Sequence, residues 1–301
     1  MKHACVGLCL YENVKTIHLY ICLQNNCTKK IPNIFTTKHI SYLIMNRSEQ
    51  VFEFKDEFDH ITKKIENKEH MALVRWGDGE YFLLKESSLS PASVDKWGWS
   101  GGPSNAKEDI LKSFALEEPN FYHGITCEDW SFRYNNEAIN YMLSNIKQPI
   151  EYITYASIFI DDNYKHFKKW FKTLEKHEII FIINEGFTHP FGDDTAETYY
   201  LPDDLVNLYE TQRDTYIAKY TEIAKKHKDR IFFFAGGPVA KSLIYHMWLA
   251  NPLNTYIDVG SAIDQFTKGK KTRAYQYLNT KESVRRGKPF TRSSIGNVSF
   301  L

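Results

Sequence analysis

Residues 231–264 read IFFFAGGPVAKSLIYHMWLANPLNTYIDVGSAID. An apolar, β-favouring run at 231–235 stops at Gly236-Gly237-Pro238, a helical pattern fills 238–250, and a second strand at 254–259 ends in Asp258-Val259-Gly260-Ser261. Two strands joined by a helix over so short a stretch make one βαβ unit, whose strands must be parallel. Pro238 suits the first helical turn, and the glycines before it leave the free amides of that turn open to an anion. This arrangement suits a nucleoside diphosphate. It lacks both the three-glycine dinucleotide fingerprint and the Lys-Ser/Thr ending of a P-loop, so neither a nicotinamide enzyme nor a P-loop ATPase is favoured. A purely structural glycine turn is the alternative.

Outward from this unit the alternation continues. Val51, Phe54, Phe58, Ile61 and Ile65 recur every three or four residues, which predicts an amphipathic helix over 49–67. Further helices are expected at 105–117, 135–147, 162–175 and 204–227, and strands at 71–76, 120–124, 151–156 and 179–183. Strand-helix alternation predicts an α/β fold, a mainly parallel sheet with helices on both faces. The loop-like stretch 95–104 carries Trp97 and Trp99, either a lid or sugar platform or a turn pinned by two tryptophans.

The strand at 71–76 belongs to MALVRWGDGEYFLL, residues 71–84. It delivers Asp78 and Glu80, separated only by Gly79, to what reads as a tight turn where hard divalent cations bind, so both are candidate ligands for Mg²⁺ or Mn²⁺. Gly77 and Gly79 leave room for a ligand to approach the backbone, and Arg75 adds a forked cation suited to phosphate or carboxylate. The competing reading is a solvated turn with Asp78 capping a helix.

With 301 residues, 43% hydrophobic and 25% charged, the chain has the composition of an ordinary globular protein. A net charge of +1 gives no global electrostatic case for nucleic acid or an anionic membrane. No apolar run reaches the roughly 18 residues a membrane helix needs, and a cytoplasmic location is expected. Cys5, Cys9, Cys22 and Cys27 cluster near the start without a compact zinc signature. Residues 1–44 lack clear periodicity and read as an N-terminal extension, with Met45 an alternative start. Residues 45–301 read as one domain, ending in a tail that holds nine Lys/Arg and one acid from residue 268 onward. Lys268, Lys270, Lys271 and Arg273 follow the 254–259 strand closely enough to add cations to its end.

RWGDGE at 75–80, AGGPVAKSLIYHM and YIDVGSAID together resemble the GT-D type of glycosyltransferase, a Rossmann-like group once catalogued as a domain of unknown function. The resemblance spans roughly residues 70–275. It implies transfer of a hexosyl or pentosyl group from a nucleoside diphosphate donor, UDP-sugar favoured, to a glycan or glycoprotein acceptor. It also implies that Asp78 and Glu80 are the catalytic carboxylates of an Asp-x-Glu motif engaging Mn²⁺ or Mg²⁺. Arg75, Gly77, Gly79, Gly236, Gly237, Pro238, Asp258, Gly260, Ser261, Lys270 and Arg273 are the expected nucleotide-sugar contacts. The chain departs from the group at Ser261 and Ala262, which stand where a His-containing segment is usual.

An inverting transferase needs a base beside the acceptor hydroxyl. Glu185, immediately after the 179–183 strand, is the first candidate, because parallel sheets bind ligands beyond the carboxyl ends of their strands. Asp161 and Asp162 are runners-up, and in a retaining enzyme Glu185 could instead hold the donor sugar. Asp193-Asp194 and Asp203-Asp204 read as turn and helix-start acids, and His123 and His189 as ordinary polar residues. A metal-dependent phosphoesterase, or a noncatalytic nucleotide-binding protein, is the alternative function.

Overall fold

The computed structural model describes residues 5–7, 20–22, 54–86, 101–126, 135–175, 178–187, 197–271 and 273–276. The chain divides into two compact units, Met1–Val51 with Thr291–Asn297, and Phe52–Phe290 with Val298–Leu301. In the first unit, strands β1 (Cys5–Gly7) and β2 (Tyr20–Cys22) pair antiparallel, with Cys5 opposite Cys22. The sequence, without clear periodicity here, predicts no strand in this extension. Most of it, with Cys9, Cys27 and Met45, lies outside the described residues, as do Trp97, Trp99 and the tail beyond residue 276.

The second unit is built on a seven-stranded sheet. Its strands are β3 (Ala72–Arg75), β4 (Phe121–Ile125), β5 (Ile153–Tyr155), β6 (Ile179–Asn184), β7 (Glu197–Leu201), β8 (Ile231–Ala235) and β9 (Thr255–Asp258). They lie in the order β5-β4-β3-β9-β8-β6-β7, and every pairing is parallel. The expected α/β class therefore holds, with all strands of this sheet parallel.

Successive residues of a strand face opposite sides of a sheet, and β8 shows how both sides are filled. Phe233 meets Phe171 and Trp170 of the Tyr164–Phe171 helix and its register partner Phe181. On the other face Phe232 stacks on Tyr256, which in turn meets Trp248 of the Val239–Ala250 helix. The Phe54–Glu66 helix joins the first face, its Phe58 packing edge-on to Phe159 and Trp170. The second face carries the Asn105–Phe114, Leu205–Lys226 and Val239–Ala250 helices, which pack on one another. Each fully buried phenylalanine contributes about 1.5–3 kcal/mol by area removed from water.

Strand β7 was not read from the sequence. It is an edge strand, largely accessible except for Leu201, so its pattern carries no continuous apolar run. The 204–227 helix is found as Leu205–Lys226, interrupted by non-helical backbone at Gln212.

From β3 the chain steps outward through β4 to β5. It then crosses to the far side, and later returns through β8 to β9 beside β3. The crevice between β3 and β9, at the carboxyl ends of the strands, is the place where such sheets accept ligands.

Candidate active site

The segments leaving the carboxyl ends of β3, β5, β6, β8 and β9 enclose a cleft of about 230 Å³. Strand β3 contributes Arg75, Gly77, Asp78 and Glu80, and β9 contributes Asp258, Gly260 and Ser261. Gly237 enters from the turn after β8, and Arg273 from the segment after β9. Nine of the residues expected at the site thus share one cavity. Gly79, Gly236, Pro238, Lys270 and Glu185 are not among those lining it.

The two acids of the Asp-x-Glu segment both line the cleft, but they lie in the first turn of a helix where a tight turn was expected, and their surroundings differ. Asp78 opens the helix Asp78–Leu84, where it accepts from the Gly79 amide at 2.9 Å and stays exposed. Glu80, two positions on, is buried and reaches back so that its Oε2 accepts from the Gly77 amide at 2.9 Å. This one-way cap, Gly77 having no side chain to return it, satisfies a free amide at the helix start and suits the dipole there. Crowding by the cleft walls and then the charge of Glu80 push the Asp78 carboxyl up, while backbone hydrogen bonds and the charge of Arg273 pull against the shift.

The other Glu80 oxygen lies 2.7 Å from Lys241 Nζ. Lys241 sits in the first turn of the Val239–Ala250 helix, and its ammonium also lies 3.1 Å from Asp258 Oδ2 and donates to the Gly237 carbonyl at 3.1 Å. Burial alone would lower this amine, but Asp258 and Glu80 outweigh it and hold the amine above its ordinary value, so it is charged. Sequence reasoning passed over Lys241. The signal was its place three residues after Pro238, one helical turn beyond the glycine turn.

Arg75 braces the cleft from below. Its Nε donates to the Asp258 carbonyl and its Nη1 to the Ala156 carbonyl, each at 2.7 Å, so one guanidinium ties the ends of β3, β9 and β5. Gly260 is required here. Its φ is +48°, and a Cβ would lie 2.3 Å from Arg75 Nη2. At Gly236 a Cβ would lie 2.2 Å from Leu201 Cδ1, so a larger residue there would have to push that side chain aside.

The glycine turn after β8 is tighter than a bare anion nest. Gly237 has φ +66°, and the Ala240 and Lys241 amides bond back to the Gly237 and Pro238 carbonyls at 3.3 and 3.2 Å. The helix start therefore offers mainly its dipole to the cleft. Cations also come from the segment after β9. Lys268 pairs with Asp264 at 3.0 Å and lies 4.3 Å from the ring centre of Phe187, and both Lys268 and Phe187 line the cavity. Ser261 Oγ and Tyr275 Oη share a hydrogen bond of 2.9 Å, which fastens the returning chain.

Glu185 continues the β6 ladder by donating its amide to Leu201 at 2.7 Å, and its side chain is exposed. Its neighbours Asn184 and Phe187 line the cavity instead. Asp161 has a left-handed backbone, φ +51°, beside the lining residue Ile160. His123 is fully buried, accepts from Trp76 Nε1 at 3.0 Å and is pushed down to about 3 by burial, as befits a core residue. Asp203 accepts from Asn184 at 3.4 Å, and Asp204 precedes the Leu205–Lys226 helix. Asp193, Asp194 and His189 lie outside the described residues.

A divalent cation fits this cleft in one way. Among the described residues no group of three His, Cys, Asp or Glu side chains is placed to hold one. Mg²⁺ and similar ions are, however, commonly held by one or two carboxylates together with substrate phosphates, and the exposed Asp78 carboxylate meets that requirement.

No protein-family model matches the chain, and neither does any curated protein. Among solved structures, one described as the highly conserved domain of unknown function 1792, with a distinct glycosyltransferase fold, is 16% identical. That match covers 79% of this chain and 92% of that one, with TM-score 0.49. Another, described as a new glycosyltransferase of the same domain class from Streptococcus sanguinis, is 16% identical over 72% of this chain and 85% of its own, with TM-score 0.50. The likeness to the Streptococcus sanguinis structure is one of fold.

Proposed function

We propose that the protein is a metal-dependent glycosyltransferase that takes a sugar from a nucleoside diphosphate donor, UDP-sugar favoured, and passes it to a hydroxyl of a glycan or glycoprotein. The observation that carries this reading is the convergence of Asp78, Lys268, Arg273 and the Val239–Ala250 helix start on one cleft at the β3/β9 crevice. A phosphoesterase would need a richer set of metal ligands than the described residues bring together. The likeness in fold to the Streptococcus sanguinis structure, described as a new glycosyltransferase, supports the same choice.

Loss of the sugar leaves negative charge on the β-phosphate, so groups that stabilise that oxygen lower the barrier. A cation held by Asp78, Mn²⁺ or Mg²⁺, would supply that stabilisation when bound. The chain's own residues supply the rest. Lys268 and Arg273 add positive charge on the side of the returning segment, the helix dipole points its positive end into the cleft, and Phe187 offers an aromatic wall. Arg75 holds the floor rigid through its two carbonyl bonds and so preorganises the site. Glu185, exposed and adjacent in sequence to the lining residue Asn184, is the proposed acceptor base.

Thermal unfolding with UDP-, GDP- and dTDP-sugars, with and without Mn²⁺, tests the reading. A donor at a hundredfold excess over its Kd should add about 2.7 kcal/mol of stability. One nucleotide family should stabilise the protein, and only with metal. Equal unfolding curves under all conditions would count against the proposal.

A further inference from the structure

Within the cleft, Lys241 is set between two carboxylates. Its ammonium has three donors, and three oxygens surround it: Glu80 Oε1 at 2.7 Å, Asp258 Oδ2 at 3.1 Å and the Gly237 carbonyl at 3.1 Å. The side chains of Lys241, Glu80 and Asp258 are 7%, 9% and 1% exposed. The second Glu80 oxygen is spent on the Gly77 amide, and Arg75 Nε lies 3.6 Å from Asp258 Oδ2. Asp258 is held differently: its pairing with Lys241 is electrostatic, and both its oxygens are buried without a hydrogen-bond partner among the described residues. Mg²⁺ and Mn²⁺ arrive hydrated and shed water reluctantly, so reaching Glu80 would require expelling a buried, paired ammonium, and reaching Asp258 would require opening the wall that buries it between Lys241 and Arg75.

We propose that Lys241 is a built-in cation that closes Glu80 and Asp258 to metal, leaving Asp78 as the protein carboxylate that holds the divalent ion jointly with the donor's diphosphate. The inference rests on the glycosyltransferase reading of the cleft. Its consequence is an order of assembly: metal binds well only together with the diphosphate, because one exposed carboxylate is a weak site and the phosphate oxygens complete it. Lys241 is then a positioning residue, which fixes the Glu80 cap and the end of β9 while supplying fixed charge to the floor.

The test is Mn²⁺ titration of the full chain, followed by the electron paramagnetic resonance of free Mn²⁺, alone and with UDP, GDP or dTDP. Wild type alone should bind Mn²⁺ only in the roughly millimolar range. One nucleoside diphosphate should raise that affinity beyond what the nucleotide achieves in solution. Asp78→Asn should lose that gain, roughly tenfold or more, whereas Glu80→Gln should stay within about threefold of wild type. Lys241→Met should gain Mn²⁺ affinity without nucleotide, because it frees two carboxylates, a result that a merely structural lysine would not produce.

Micromolar Mn²⁺ binding by wild type without nucleotide would overturn the inference whatever the variants do. So would a Glu80→Gln loss as large as that of Asp78→Asn. Nucleotide-dependent Mn²⁺ binding that fails in Glu80→Gln overturns the lysine inference and leaves the glycosyltransferase reading standing. No nucleotide effect in wild type overturns both.

Discussion

Asp78 and Gly260 make opposite demands on the cleft, one for chemistry and one for space. Asp78 is exposed at the start of its helix, so Asp78→Asn should leave thermal unfolding nearly unchanged while lowering donor turnover by roughly a hundredfold, measured as nucleoside diphosphate release. Gly260→Ala should do the reverse first. With φ at +48° and the Arg75 guanidinium 2.3 Å from a new Cβ, it should cost about 1–3 kcal/mol in denaturant unfolding, and donor affinity should fall as Arg75 is displaced. Many of the residues that line the cleft were legible in the sequence, because glycines and acids there follow strand ends, where parallel sheets open their crevice. What Glu80 touches was not legible: a capping carboxylate and a metal-binding one share the same spacing, and its contact with Lys241, more than 150 residues away in the chain, comes only with the fold.

The helices that back the cleft are held by a buried polar knot. Asp109, with its side chain 0% exposed, accepts from Arg213 through both carboxylate oxygens and from Tyr209 at 2.7 Å, and His246 Nε2 lies 3.2 Å away. It therefore joins the Asn105–Phe114, Leu205–Lys226 and Val239–Ala250 helices. Burial alone would raise the Asp109 carboxyl, but His246, Arg213 and Tyr209 hold it well below its ordinary range. A carboxyl depressed in the folded state stabilises above its unfolded pKa, and that contribution is lost as pH falls toward the folded value. Acid unfolding should therefore steepen below about pH 4. Asp109→Asn should flatten that acid limb and, by weakening the buried end of the Arg213 pairing while Asp214 remains, cost about 1–3 kcal/mol at neutral pH in denaturant unfolding. The three helices were legible from their periodicity. The knot was not, because Asp109 and Arg213 each look like ordinary helix-surface charges until the helices are packed. Strand β7 escaped for a related reason, since a half-exposed edge strand shows little of the apolar run that marked β6 and β8.

Across the larger unit, the parallel sheet brings the ends of β3 and β9 together, although some 180 residues separate them in sequence. Phe233 of β8 is fully buried against the Tyr164–Phe171 helix, and Phe233→Ala should cost about 3–5 kcal/mol while leaving the chemistry of the cleft unchanged. Sheet class and strand order follow from separate information. The alternation of elements was enough for the first, whereas the second depends on which distant strands pair, and local patterns do not encode that. The most direct measurement is release of nucleoside diphosphate from a panel of UDP-, GDP- and dTDP-sugars by the purified protein, with and without Mn²⁺. Metal-dependent release from one nucleotide family, lost in Asp78→Asn, is the expected result. Absence of release from every donor, in a folded protein supplied with metal and acceptor sugars, would contradict the glycosyltransferase assignment.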